Sequence, residues 1–335
     1  MGVLLTHTKV IKWVKGSEMG FQKEGTVALK FKVFLHSYLG FNSNSTLFFG
    51  EQDAILIDAS QVLSDSHRLV SKILPMRKRL THIYVSHFHP DHHFGLAVLK
   101  FAFPEAKIVA LPSVVKDIVA TSSDKIDLWA IDRFGPGEIP TATTKPTPMA
   151  EPRLELEGEE ILLSDGWEGD SVNNSAVWVP SIGVACATDI AFHDCHLWPI
   201  ESNVTRRVIW RKDIARLKEF DARIIIPGHC DEEKIGIMEE VQEDKTQTYT
   251  ECADWSIQYL DNYEEIYSTS KSAEDLVNRM YEKYPDVKAE DFAVQWQARL
   301  LYPHSSPDWL LPLPGEPGKI FLNPSGRYDG DPPKE

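Results

Sequence analysis

Residues 86–95 read Ser-His-Phe-His-Pro-Asp-His-His-Phe-Gly and directly follow the apolar run Ile83-Tyr84-Val85. They place four histidines and one aspartate in seven consecutive positions, from His87 to His93. Imidazole nitrogens and a carboxylate that converge on one point are typical ligands of zinc, iron or manganese. The pattern lacks the spread Cys/His spacing of a closed structural zinc site. It therefore predicts a catalytic metal site with open coordination positions at the end of a strand.

A histidine-rich surface tract that binds metal adventitiously is the alternative interpretation of this segment. A single His-x-His pair favours that interpretation. Here the longer pattern His-x-His-x-Asp-His lies between an apolar strand and Gly95, and this arrangement favours a built metal site.

The pattern His-x-His-x-Asp-His at the end of a strand resembles the metallo-β-lactamase fold hydrolases. Other segments that resemble the family include its opening hairpin, with Asp58 in the usual Asp position. A strand, turn and strand then end in the aspartate that bridges two metals, and a last strand delivers the final histidine. The resemblance covers about residues 30–240, and the matching segments are 45–49, 54–58, 177–180, 185–189 and 224–229.

The resemblance implies two metal positions. We expect the position formed by Asp91, His92 and His229 to bind metal more tightly. The β-lactamases of the family carry a cysteine at the bridging position, whereas this chain has an aspartate, so iron and manganese are compatible besides zinc. The expected cofactor is one or two zinc ions. The implied ligands are His87 and His89 in the first position, Asp91, His92 and His229 in the second, and Asp189 as the bridge.

The first position lacks one ligand that the family usually supplies, a histidine from a Gly-His-x-x-Gly-type loop. The corresponding residues 164–171 read Ser-Asp-Gly-Trp-Glu-Gly-Asp-Ser and contain no histidine. The loop is similar to a sub-branch that carries Gly-Asp-Ser/Thr there. Water or a single-metal enzyme would also account for the gap. The candidate replacements in this chain are Asp165, Glu168, Asp170, His193 and His196.

Two residues are predicted to move protons during catalysis. Asp91 is expected to accept a proton from the attacking water. His196 is expected to donate one to the leaving group, because His196-Leu197-Trp198 resembles the His-x-Trp element of the same sub-branch. His193 is a weaker candidate for this role. Trp167 and Trp198 are predicted to form walls of the substrate pocket.

The resemblance and the site together predict a hydrolase in which a metal-bound hydroxide attacks a carbonyl carbon. We expect the substrate to be a cyclic amide or ester of a small xenobiotic or secondary metabolite. Fungal detoxifying lactamases that open benzoxazolinone-type rings are similar in this respect. The alternatives are an acyl thioesterase, an isothiocyanate hydrolase, a mono-iron sulfur dioxygenase and, last, a metal-binding scaffold without activity.

Charge and composition restrict the partners. The formal net charge of −15 disfavours a nucleic-acid surface, which needs clustered Lys and Arg. No Lys/Arg clamp stands near the motifs, which disfavours a strongly anionic substrate. No apolar run is long enough to span a membrane. Four cysteines without a C-x-x-C pair predict a reducing, cytoplasmic location.

The predicted fold class is α/β, a four-layer αββα metallo-β-lactamase sandwich in residues 1–240. Residues 241–335 are predicted to form a helical extension and a Pro/Gly-rich tail that pack on it. Aromatic residues in the extension favour packing or a homodimer contact over a lid. The predicted strands are 26–36, 45–50, 53–58, 83–86, 107–111, 153–164, 174–180 and 183–188. The predicted helices are 64–76, 94–101, 114–131 and 205–220.

Overall fold

The apolar run ahead of the histidine motif forms strand β4, inside the first of two β-sheets. The computed structural model describes residues 28–132, 134–135, 137–287, 289–314 and 321–334. The first sheet has the order β1-β2-β3-β4-β5-β6; β1 to β3 pair antiparallel and β3 to β6 pair parallel. Its strands are β1 Lys30–Leu35, β2 Asn44–Phe49, β3 Asp53–Ile57, β4 Arg79–Val85, β5 Lys107–Ala110 and β6 Thr147–Pro148.

The second sheet has the order β11-β10-β9-β8-β7. Strands β7 to β10 pair antiparallel, whereas β10 and β11 run parallel. The parallel pair brings the carboxyl ends of β10 and β11 to the same edge of the sheet. Its strands are β7 Arg153–Leu156, β8 Glu159–Trp167, β9 Asn174–Val179, β10 Val184–Phe192 and β11 Ile224–His229.

Helices cover the sheets. Apolar side chains of α1, α2 and α3 share one core with the strands, and α4 and α6 contact β10 of the second sheet. This confirms the predicted α/β sandwich of two sheets with flanking helices. The helices are α1 Leu63–Ile73, α2 Leu96–Ala102, α3 Pro112–Asp132, α4 Val204–Leu217, α5 Glu232–Glu243, α6 Glu251–Thr269, α7 Ala273–Lys283 and α8 Asp291–Leu301.

Strands β3 and β10 are buried along almost their whole length rather than on alternate residues. Ile55 and Leu56 are both fully buried, and every residue of β10 is buried. Continuous burial is expected where a sheet is covered on both faces. The strands that precede the ligand candidates are therefore anchored in the buried interior of the protein.

Several predicted elements differ in their bounds from the structure; β4, for example, begins at Arg79 instead of residue 83. The strand predicted at 153–164 is a hairpin, because Glu157 and Gly158 both adopt positive φ, 50° and 89°, as a tight two-residue hairpin turn requires. The helix predicted from residue 94 begins at Leu96, after a 3-10 turn. The predicted strand 26–36 begins at Lys30, and residues 26 and 27 lie outside the described residues.

The C-terminal extension is joined to the rest by burial and by ion pairs. Helix α5 crosses residue 240, and Tyr259 and Met280 belong to the same core as the sheets. The buried Arg207 pairs with Asp331 of the tail, Nη1 to Oδ2 at 2.8 Å. The boundary between a catalytic region 1–240 and an extension 241–335 stays a prediction. Among the described residues, no helix combines the length and the apolar character that crossing a membrane requires.

Candidate metal centre and cavity

Three chain segments deliver the six predicted ligands to one edge of the two sheets. The histidine motif follows the end of β4, Asp189 lies near the end of β10, and His229 ends β11. The sheets are joined next to this edge, where the Tyr84 hydroxyl donates to Ser175 Oγ at 2.8 Å. The six residues predicted as metal ligands are thereby brought together.

The first group of ligand candidates contains His87, His89, Asp170 and Asp189. All four are buried, and one nitrogen or oxygen of each lies within 4.8 Å of the others. His89 Nδ1 lies 2.7 Å from Asp170 Oδ2, and His87 Nε2 lies 3.4 Å from Asp189 Oδ2. The 3.4 Å separation suits two atoms that share one metal ion, whereas 2.7 Å is the distance of a charge-assisted hydrogen bond.

The second group contains Asp91, His92, Asp189 and His229, all buried. His92 Nε2 lies 3.2 Å from Asp91 Oδ2 and 3.2 Å from Asp189 Oδ1. His229 Nε2 lies 3.4 Å from Asp91 Oδ2 and 3.2 Å from Asp189 Oδ2. Asp189 is common to both groups, which is the arrangement of a bridging carboxylate.

The donor chemistry of both groups fits divalent metal ions. Nε2 of His87, Nε2 of His92 and Oδ1 of Asp189 are buried without a hydrogen-bond partner among the described residues. Buried polar atoms of this kind are costly unless another group satisfies them. Nitrogen and carboxylate oxygen without thiolate are ligands that zinc, iron and manganese accept. Metal binding itself stays a prediction from this geometry.

The structure selects one of the replacements that were considered for the missing histidine. Asp170 reaches the first group, whereas Glu168 is paired with Arg206 and Asp165 accepts from Ser113 Oγ at 2.9 Å. Asp170 is held in place because its backbone N–H donates to the carbonyl of Asp189 at 3.2 Å. A carboxylate from the Gly-Asp-Ser loop thus takes the place of the imidazole.

Two glycines allow the backbone to approach the bridging aspartate. A Cβ on Gly169 would lie 2.5 Å from the carbonyl oxygen of Asp189. A Cβ on Gly228 would lie 2.0 Å from Asp189 Oδ1. Both distances are shorter than a carbon–oxygen contact permits, so any side chain there would displace the bridge.

The ligand histidines are oriented through their second ring nitrogen. His92 Nδ1 lies 2.9 Å from Asp58 Oδ2, and Asp58 has the left-handed φ of 62°. His89 Nε2 lies 3.3 Å from Glu201 Oε2. Carboxylate partners of this kind fix the tautomer of a ligand histidine and raise its basicity. Asp58 thus sits where the sequence comparison with the family placed an aspartate.

Charge in the centre is balanced between imidazoles and carboxylates. Burial lowers the pKa of His89, but the carboxylates of Asp170 and Glu201 outweigh it and raise this pKa to about 9. Burial likewise opposes charge on His92, but Asp189 and other carboxylates hold its pKa well above the usual range. Without metal, these imidazoles hold protons at neutral pH.

A cavity of about 410 Å³ opens beside the two groups. Part of this volume opens to solvent, so the value is an upper limit, and the cavity suits a small molecule. Ligand candidates and aromatic side chains both line the cavity. The aromatic lining residues are Phe41, Trp129, Phe192, Trp198, Phe292 and Phe321.

Three charged residues of the cavity were not anticipated from the sequence: Lys125, Glu201 and Glu290. Lys125 lies on α3, and its Nζ is 3.3 Å from Glu201 Oε1. The sequence shows no Lys/Arg clamp near the motifs, and folding brings one cation, Lys125 of α3, to the cavity. Glu201 lies three residues after Trp198 of the His-x-Trp element, and this proximity is the one sequence signal that could have identified it as a cavity residue. Lys125 and Glu290 belong to no motif.

The predicted role of His196 as a proton donor does not agree with its position. His196 Nδ1 lies 2.9 Å from the Tyr259 hydroxyl, and the ring also contacts Tyr281 and Tyr284. It belongs to neither ligand group and does not line the cavity. The side chain is buried in a tyrosine cluster of the extension, away from a reacting group. His193 likewise lies outside, with Nδ1 2.5 Å from the Tyr249 hydroxyl.

The two tryptophans predicted as pocket walls differ. Trp198 lines the cavity, with its ring centroid 5.1 Å from that of Phe321. Trp167 does not; it stacks between Arg216 and Phe220 on the outer side of the second sheet. Local sequence placed both beside ligands, but the side chain of Trp167 points away from the cavity.

Comparison with known proteins supports the assignment of the fold and of its family. The family model described as "Metallo-beta-lactamase superfamily" matches residues 38–229, more than half of the 335 residues. Among curated proteins, none shows significant sequence similarity to this chain.

Solved structures similar to this chain include three metallo-beta-lactamases. A metallo-beta-lactamase from Pontibacter korlensis has 13% identity and a TM-score of 0.47, covering 70% of this chain and 95% of its own. DIM-1, exposed to ceftazidime, has 18% identity and a TM-score of 0.41, covering 68% and 96%. The B3 enzyme BLEG-1 has 13% identity and a TM-score of 0.48, covering 60% and 92%.

Asp170→Asn is expected to lower the bound zinc from about two ions per chain to about one, because Asp170 belongs only to the first group. Glu168→Gln is the matched control and should keep both ions, since Glu168 is paired with Arg206. Elemental analysis after dialysis measures the stoichiometry. An unchanged zinc content in Asp170→Asn would show that Asp170 is not a ligand.

Zinc affinity is expected to fall as the pH is lowered from about 8 to about 6, because zinc must displace protons from the buried imidazoles. The raised pKa values of His89 and His92 mean that these protons are held across that interval. The loss should be about tenfold per pH unit for each proton displaced. Competition titrations with a chelator measure it, and an affinity independent of pH would contradict the expectation.

Proposed function

The chain belongs to the metallo-beta-lactamase superfamily, and we propose that it is a metal-dependent hydrolase that opens a cyclic amide or ester of a small molecule. The observation that carries this proposal is the pair of buried ligand groups sharing Asp189 at the base of an aromatic cavity. Divalent metal ions in such a site lower the pKa of water to about 7 and polarise a carbonyl group. Zinc is the proposed metal, and the ligand set also accepts iron or manganese.

Residues of the cavity have two further proposed roles, proton transfer and exclusion of water. Asp91 lines the cavity as well as belonging to the second group, and this position supports the proposal that its carboxylate accepts a proton from the attacking water. Trp129 and Trp198 line the same cavity, and their apolar rings exclude water from it. Exclusion of water strengthens every electrostatic interaction at the reacting carbonyl.

Charge balance supports a neutral substrate. Five carboxylates and one ammonium line the cavity, so two divalent cations would bring their sum to zero. A strongly anionic molecule would gain little attraction there. The aromatic lining favours a flat, apolar ring, and the small volume favours a compact one. A lactam or lactone fused to an aromatic ring meets these conditions.

Lys125 is proposed to bind an oxygen atom of this substrate. Its side chain is buried, and Glu201 is its hydrogen-bonding acceptor, although an ammonium group has three donors. Because Lys125 lines the cavity, a carbonyl oxygen of the substrate could take a further donor. The ion pair with Glu201 keeps the ammonium group in place while it does so.

The proposed function is tested with purified protein and a panel of aromatic lactams, lactones and acyl thioesters, together with elemental analysis. Hydrolysis of a lactam or lactone that stops on chelation and returns with zinc would support it. Preferential cleavage of thioesters would move the substrate class to acyl thioesters. Bound iron with oxygen consumption and no hydrolysis would replace the proposal by a dioxygenase.

His89→Ala and Asp91→Ala are each expected to lower kcat/KM by more than about 100-fold, because several kcal/mol of charge stabilisation at the reacting group are lost. His67→Ala is the control, since His67 is exposed on α1. Circular dichroism of each variant without metal checks the fold. Full activity in either ligand variant would refute a reaction at this centre.

Lys125→Met is expected to lower kcat/KM by about 10- to 100-fold, the loss of a charged hydrogen bond of about 1.5–3 kcal/mol. Lys116→Met is the matched control, because Lys116 is exposed on the same helix. The comparison uses whichever lactam or lactone of the panel is cleaved fastest. Equal kcat/KM in Lys125→Met and the unchanged protein would exclude contact between Lys125 and the substrate.

A further inference from the structure

The C-terminal extension contributes a carboxylate to the metal centre. Glu290 lies beyond residues 38–229, which match the family, and its side chain is almost completely buried. Its Oε1 lies 2.6 Å from Nδ1 of His229, and the residue lines the cavity. The family-matched part of the chain supplies equivalent carboxylates to other ligands, Asp58 to His92 and Glu201 to His89.

The position of Glu290 is fixed from both sides. On one side, the carbonyl of Ala289 accepts from the backbone N–H of His196 at 3.0 Å. On the other, Phe292 packs against Phe41, with ring centroids 4.9 Å apart. Between them Glu290 has φ of 60° and ψ of 30°, a left-handed conformation that is unfavourable for a residue with a side chain. Such conformations persist where the surrounding structure imposes them.

His229 uses its two ring nitrogens differently. Nε2 faces Asp91 and Asp189 and is the candidate ligand atom. Nδ1 faces Glu290 and also lies 2.8 Å from the carbonyl oxygen of Phe41. Phe192 stacks on the imidazole ring of His229, with ring centroids 4.9 Å apart and an interplanar angle of 8°. This stacking restricts rotation of the imidazole ring.

We infer that Glu290 is a positioning residue for His229: together with the Phe41 carbonyl, it keeps the proton on Nδ1, so that Nε2 presents its lone pair to the metal. This inference rests on the proposed metal centre. A carboxylate at Nδ1 keeps the proton on that nitrogen and makes Nε2 a stronger ligand. The extension thereby adds a positioning carboxylate to the second metal position, whose four ligand candidates all lie in the family-matched segment.

Glu290→Gln tests this inference, because it removes the charge and keeps the size of the side chain. Zn²⁺ affinity in competition with a chelator is expected to fall about 10- to 100-fold, the usual effect of removing such a partner. The visible spectrum of the Co²⁺-substituted protein should change as well. Asp291→Asn is the matched control, since the adjacent carboxylate bonds to the Tyr38 hydroxyl outside the centre. Its affinity should stay as in the unchanged protein.

Glu290→Asp keeps the test decisive if Glu290→Gln folds poorly. It retains the carboxylate, so a positioning role predicts a Zn²⁺ affinity between those of Glu290→Gln and the unchanged protein. Unchanged affinity and an unchanged Co²⁺ spectrum in folded Glu290→Gln would overturn the inference while leaving the proposed hydrolase intact. Failure of the unchanged protein to bind Zn²⁺ would overturn both.

Discussion

The shared carboxylate of Asp189 is the interaction on which the rest of the centre depends. It lies within reach of His87, His92 and His229, which come from two different sheets. The backbone closes around it at Gly169 and Gly228, where no side chain fits. A small displacement of this one group would therefore disturb both ligand groups together.

Around this carboxylate, charge is arranged in two layers. The inner layer consists of imidazoles and the carboxylates of Asp91, Asp170 and Asp189. The outer layer consists of carboxylates that bond to the far nitrogens of the histidines, such as Asp58. Buried charges of this density are unfavourable in a dry interior unless cations compensate them. Divalent cations at the proposed centre would supply this compensation.

The sequence predicts the inner layer well because its residues follow local patterns. The histidine motif comes directly after an apolar strand, and His229 ends another. Asp170 could only be one of several candidates, since the direction of its side chain depends on how Gly169 approaches Asp189. The hairpin at Glu157 was missed because one strand and two strands share the same alternation of residues.

Residues of the outer layer and of the cavity wall cannot be predicted from local sequence patterns. Lys125 and Glu290 are distant in sequence from the ligands, and tertiary packing alone brings them there. His196 shows the converse error. Its local pattern matches an active-site element, but Tyr259 of the extension bonds to its ring and holds it in the core. Local patterns predict the position of a residue in the fold, whereas long-range packing determines the direction of its side chain.

The involvement of Glu290 and Phe321 in the cavity has a consequence for biosynthesis. A chain emerges from the ribosome with its N-terminal part first. The histidine motif is therefore available to bind metal before the tail that carries Phe321 and Asp331 has been made. Asp331 secures that tail through Arg207. Closure of the aromatic cavity therefore comes late in synthesis, because it has to wait for this tail.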